Sequence, residues 1–158
     1  MSNPIASYSI SDKSKVKGDG KVALSQRTDA ISSGVFRVTV SVAFDPATNE
    51  YPTGSVKIEP DLSDSTKSFI ESTTIEQVNT HGKHTPTAII AGRCKVKVAG
   101  SDAPPKGCRF WLLVSDNRST DQGTPDIVSF IVYDRTGKRV SYGTGPLDGS
   151  IAVDSTSL

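Results

Sequence analysis

From Val35 to Phe44 the chain reads Val-Phe-Arg-Val-Thr-Val-Ser-Val-Ala-Phe, so Phe36, Val38, Val40, Val42 and Phe44 alternate with small or polar residues. Period two sustained over this length puts every large side chain on one face of an extended strand, and a helix would scatter them around its axis. A strand with one apolar face is stable only when other strands continue that face into a core. The rest of the chain supplies them. After the turn residues Asp45-Pro46-Ala47-Thr48-Asn49, the stretch Gly54-Ser55-Val56-Lys57-Ile58-Glu59 resumes the alternation, which predicts an antiparallel hairpin.

Further along, Thr87 to Val98 places Cys94, Val96 and Val98 on one face and Lys95 and Lys97 on the other. Cys108 to Val114 turns Phe110, Leu112 and Val114 inward, leaving Trp111 and Leu113 on the other face, which is either partly covered or an exposed apolar patch. In Asp126 to Asp134, Val128, Phe130 and Val132 share one face, and Ile127, Ile131 and Tyr133 the other. Weaker patterns predict strands at Lys21 to Gln26, Lys138 to Tyr142 and Ser150 to Val153, with short edge strands at Lys67 to Glu71 and Thr74 to Val78. Composition agrees, since 15 Val, 11 Ile and 15 Thr stand against 6 Leu and 1 Met, and β-branched side chains favour strands.

Roughly eight to ten strands separated by turn signals predict an all-β fold, an antiparallel β-sandwich, with a closed β-barrel as the alternative. Residues 1–20, rich in Ser, Lys and Asp, read as a flexible N-terminal arm, residues 21–153 as a single β domain, and residues 154–158 as a polar tail.

The 18 Lys and Arg nearly balance the 17 Asp and Glu, for a formal charge of +1. That balance argues against a nucleic-acid partner, which needs a strong basic field. No apolar run approaches the ~20 residues of a membrane-crossing helix, and the first residues lack the basic start and apolar stretch of a signal peptide. Membrane insertion is not expected, and an extracellular, cell-surface or virion setting is favoured for a β module of this kind.

If Val98 pairs with Cys108 across the loop at residues 100–107, Cys94 falls opposite Leu112. The cysteines then share a face but lie about four residues apart, roughly 13 Å at ~3.4 Å per residue, beyond the ~7 Å limit for a disulfide. Two free, buried thiols are therefore expected, unless another register brings them together.

The sequence holds no phosphate-cradling glycine loop, nucleophile elbow or Cys-x-x-Cys pair. His81 and His84 form the one histidine pair, without an evident third ligand for zinc. Asp116, Asp121 and Asp126 gather oxygen donors that can hold Ca²⁺, although their order does not match a twelve-residue calcium loop. Otherwise no cofactor is expected. Asn117-Arg118-Ser119 is a formal N-glycosylation sequon. Tyr51, Trp111 and Tyr142 are candidates for stacking on sugar rings, with Asp116 or Asn117 holding hydroxyls.

In order and spacing, four stretches together resemble the post-COAP domain, a module that follows other domains in bacterial surface and secreted proteins. They are Gly54 to Ile58, Cys108 to Asn117, Asp126 to Val140, and Pro146-Leu147-Asp148-Gly149-Ser150-Ile151-Ala152-Val153. The resemblance spans about residues 18–153. Cys108 stands where that pattern favours an aromatic, Asp148 interrupts a glycine run, and no His follows Val153. The resemblance implies an all-β, non-catalytic accessory module and brings no catalytic residue with it.

The leading expectation is thus a non-enzymatic structural or interaction module on a larger assembly, a bacterial surface or a phage capsid or tail. Its partner is a protein assembly or another copy of itself, met through Trp111, Leu113, Ile127, Ile131 and Tyr133. A carbohydrate-binding or adhesion module contacting surface glycan is the alternative. A small-ligand-binding barrel or an enzyme using His81, His84 and acidic residues ranks third.

Overall fold

The computed structural model describes residues 13–24, 34–60, 69–81, 86–97, 104–117 and 123–155. These residues form eight strands: β1 (Ser14–Leu24), β2 (Gly34–Phe44), β3 (Thr53–Pro60), β4 (Phe69–His81), β5 (Thr87–Lys97), β6 (Lys106–Ser115), β7 (Ile127–Asp134) and β8 (Arg139–Ser155). Each pairs antiparallel with its neighbour in sequence, and β1 pairs with β8, closing the sheet into a barrel. The fold is all-β as expected, but it is the barrel and not the sandwich. The reason lies in β1 and β8, the strands whose sequences alternate least clearly.

β1 begins at Ser14, inside the segment assigned to the arm, and makes nine rungs with β8, from Ser14 with Ser155 to Val22 with Leu147. Val16, between Lys15 and Lys17, and Val22, next to Lys21, fill the interior. Gly18 and Gly149 permit the close approach at this seam. Their φ angles are 153° and 141°, and a Cβ at Gly18 would lie 2.1 Å from the Ser150 carbonyl oxygen, one at Gly149 2.5 Å from that of Asp19. Only glycine takes such backbone without strain.

β8 runs unbroken for 17 residues, joining what the sequence divides into two short strands. Its first half pairs with β7 and its second half with β1. β4 likewise merges two predicted edge strands into one strand of 13 residues, with register shifts between Ser72 and Thr74 and between Ile75 and Gln77. Such bulges bend a strand and let a sheet curl. The β3–β4 seam is correspondingly short, with two rungs, Lys57 to Glu71 and Ile58 to Ile70, supplemented by the Val56 N–H donating to Ser72 Oγ at 2.8 Å.

The interior is filled by one cluster that includes Phe36, Ile58, Ile90, Leu112, Leu147 and Ile151. Eight-stranded barrels are narrow enough for side chains to fill. Each fully buried large aliphatic or aromatic side chain contributes about 1.5–3 kcal/mol, so the alternating faces read from β2, β3, β6 and β7 are what the barrel buries.

Candidate functional site

Register places the outward residues of neighbouring strands side by side. On the outside of β6, β7 and β8, Trp111, Ile131 and Tyr142 form one rung, and Leu113, Ser129 and Thr144 the next. Ile127 lies one rung further along, beside Ser115. Trp111, Leu113 and Ile127 are 40%, 36% and 41% exposed, while Ile131 and Tyr133 are half-buried on the same face. The five residues expected to form an interface therefore do share one outer face. Trp111 and Tyr133 meet edge to face, with ring centroids 5.6 Å apart and planes at 81°.

Beside the aromatic pair the wall turns cationic. Arg93 on β5 sits opposite Arg109 on β6, and Arg109 opposite Tyr133 on β7. Glu76 of β4 bridges the two guanidiniums, 2.9 Å from Arg109 and 3.8 Å from Arg93. A groove of about 910 Å³ opens here, lined among others by Arg93, Lys95, Arg109, Trp111, Tyr133 and Arg135. Gly107 makes room in it, because a Cβ at that position would lie 3.0 Å from Nη2 of Arg135. Sequence reasoning found the outward lysines of β5 but not this cluster; cations at alternate outward positions were the available signal.

Asp134 stands at the rim as the anchor of the β7–β8 turn. Its Oδ1 accepts from the Thr136 hydroxyl at 2.6 Å, the Thr136 N–H at 2.9 Å and the Lys138 N–H at 3.0 Å. The Thr136 hydroxyl bond, with the Lys138 N–H next, holds its carboxyl below the usual range.

The residues expected to bind sugar do not converge. Tyr51 lies on the β2–β3 connection, 71% exposed, and not on the face that carries Trp111. Tyr142 shares the Trp111 rung, but Ile131 separates them, and Arg139 lies over its ring at 4.1 Å. Asp116 is buried and accepts the Val153 N–H at 2.9 Å, while Asn117 donates to the Pro125 carbonyl at 3.0 Å. Their polar atoms face the protein's own backbone.

Of the residues expected to hold calcium, Asp126 is fully buried and accepts the Ile151 N–H at 3.0 Å, so Asp116 and Asp126 each direct one carboxylate oxygen to a backbone N–H of β8. Asp121 lies outside the described residues, as does His84, while His81 is exposed at the end of β4. Among the described residues no three His, Cys, Asp or Glu side chains are grouped to hold a metal.

Both cysteines are free and buried, but their register differs from the expected one. Cys94 pairs directly with Cys108, and both contribute to the lining of the groove. Burial, with the nearby Cys108 second, pushes the Cys94 thiol up to about 12. Burial also raises the Cys108 thiol, with Asp134 adding to the effect and Lys106 and Arg135 opposing it.

Compared with protein families, curated proteins and solved structures, the chain matches none.

Proposed function

We propose that this barrel is a non-enzymatic interaction module carried on a larger assembly, a bacterial surface or a virion, and that it docks through the outer face of β6 and β7. The observation carrying the reading is the exposure of Trp111, Leu113 and Ile127 on neighbouring outward positions, extended by Ile131 and Tyr133. Contiguous exposed apolar side chains on a rigid face are what a protein interface uses, with Trp and Tyr as its anchors. The resemblance to post-COAP accessory modules points the same way. The occupant is a protein of the assembly or a second copy of this chain.

The test is light scattering during size exclusion, over a concentration series, for wild type and for Leu113→Lys with Ile127→Lys. Self-association that the double variant abolishes supports the reading with a second copy as occupant. A monomer at all concentrations moves the question to a heterologous partner, and identical retention on assembled particles by wild type and variant overturns the reading.

A glycan-binding reading is favoured by the groove alone. Guanidiniums beside exposed aromatic rings suit a sugar bearing carboxylate or sulfate, and the groove volume falls within the ~300–1,000 Å³ typical of ligand sites. Binding of an acidic polysaccharide but not a neutral one, lost in Arg109→Ala with Arg135→Ala, would favour this reading over the first.

A further inference from the structure

The chain contains two cysteines, and the barrel sets them face to face on adjacent strands. The β5–β6 register runs without a shift from Thr87 with Ser115 to Val96 with Lys106. One rung beyond its end, the Asp116 N–H donates to the Pro86 carbonyl at 2.8 Å, which marks that rung as hydrogen-bonded. Hydrogen-bonded rungs recur at every second residue, so the rung of Cys94 and Cys108 is of the same kind, with Cα atoms about 5.5 Å apart. That lies within the ~4.4–6.8 Å span of Cα separations in disulfides, and the Cβ atoms, about 5.5 Å apart at a hydrogen-bonded rung, close by about 1 Å to reach the ~4.5 Å of a bridge. Both side chains are buried on the inward face of their strands, and both residues border the groove that Gly107 and Gly137 also line.

We infer that Cys94 and Cys108 form an oxidisable pair, which a low-molecular-weight disulfide of the glutathione class converts into a cross-strand staple between β5 and β6. The Cys108 thiolate, the less deeply buried of the two, attacks one sulfur of the reagent and expels one reagent thiolate. The Cys94 thiolate then attacks the sulfur of Cys108 and expels the second. Two protein thiols lose two hydrogens and two electrons, and the reagent leaves as two thiols. Burial that disfavours both thiolates makes the reaction slow at neutral pH and faster in alkali. Once made, the bond closes the loop of residues 95–107 and restrains the unfolded chain. The inference does not depend on the function proposed above.

The test uses the full chain with glutathione disulfide at about pH 8.5, quenched in acid, alkylated in denaturant and read by intact mass. A parallel sample is refolded from urea in the same redox buffer, so that slow access in the folded state is separated from inability to form the bond. The expected product, in one sample or both, is a monomer two hydrogens lighter, without glutathione or alkyl groups, reverting with dithiothreitol. Its Tm lies above that of the reduced protein by about 5–10 °C. Cys94→Ala retains a glutathione adduct on Cys108. Full alkylation of both cysteines in both samples, a persistent mixed disulfide in wild type, or a covalent dimer as the main product overturns the inference.

Discussion

Asp126 Oδ2 accepts the backbone N–H of Ile151 at 3.0 Å, 25 residues away in sequence, with both residues fully buried. The bond exists because β8 outruns β7. Beyond Pro146 the edge of β8 that faced β7 has no strand beside it among the described residues, and Asp116 and Asp126 bond to it instead. The Asp126 carbonyl accepts from Leu147 N–H at 2.8 Å, Asp126 Oδ2 from Ile151 and Asp116 Oδ2 from Val153. Two carboxylates thus substitute for part of a ladder.

Removing either acceptor leaves a buried N–H without its carboxylate. Asp126→Ala and Asp116→Ala should each lower the unfolding free energy by about 2–3 kcal/mol. Urea denaturation checks this, with amide exchange at Ile151 or Val153 rising in the matching variant. Unchanged stability in both would show that these bonds do not hold β8.

Two glycines at positive φ separate strain from space. Gly18→Val meets the Ser150 carbonyl and should open the β1–β8 seam, raising amide exchange across both strands. At Gly137, with φ 86°, a Cβ meets nothing within 4 Å. Gly137→Ala should cost only about 1 kcal/mol of backbone strain and leave the β1–β8 amides protected.

The raised Cys94 thiol makes stability fall in alkali. The folded protein keeps this proton to about pH 12 while the unfolded chain releases it near the ordinary value of 9.0. The contribution is complete below pH 9 and is lost progressively as pH rises toward 12. At ~1.4 kcal/mol per pH unit the loss attributable to Cys94 is at most about 4 kcal/mol. Cys94→Ala should flatten the stability profile over that range relative to wild type, measured by urea titration under reducing conditions.

Asp134 acts at the other end of the pH scale. Its carboxyl is held below 3.8 by the Thr136 hydroxyl and the turn N–H groups, so the turn keeps this support above that pH and loses it as pH falls through the lowered value. The Thr136 and Lys138 amide resonances should titrate with a midpoint below 3.8, and Thr136→Val should move that midpoint upward. A midpoint at or above 3.8 in wild type would count against the hydrogen bonds as its cause.

The cysteine register shows why part of the fold was not legible. Pairing Cys94 with Leu112 or with Cys108 turns the same side chains inward, because the two registers differ by an even number of residues. Alternation therefore cannot distinguish them, and the connection between β5 and β6 is too long for turn geometry to decide. The outward apolar residues were readable because facing is local: Trp111, Leu113, Ile127 and Ile131 share the face opposite the core whichever register the strands adopt. The cationic groove was not, since Arg93 and Lys95 of β5, Arg109 of β6 and Arg135 after β7 come from three separate segments.

By itself the sequence determined that the protein is all-β, that β2, β3, β5, β6 and β7 exist, and which side chains share a face in each of them. Period two is a property of one strand and needs no partner to be seen. The tertiary structure alone decided that the sheet closes, that the lysine-rich Ser14–Leu24 is a wall strand and that β8 is continuous. It also placed the carboxylates of Asp116 and Asp126 inside, as acceptors for backbone N–H groups of β8. Closure depends on how strand edges meet after twisting and bending, and a sandwich and a barrel bury the same alternating faces. The identity of the neighbour across each edge is information that no single strand contains.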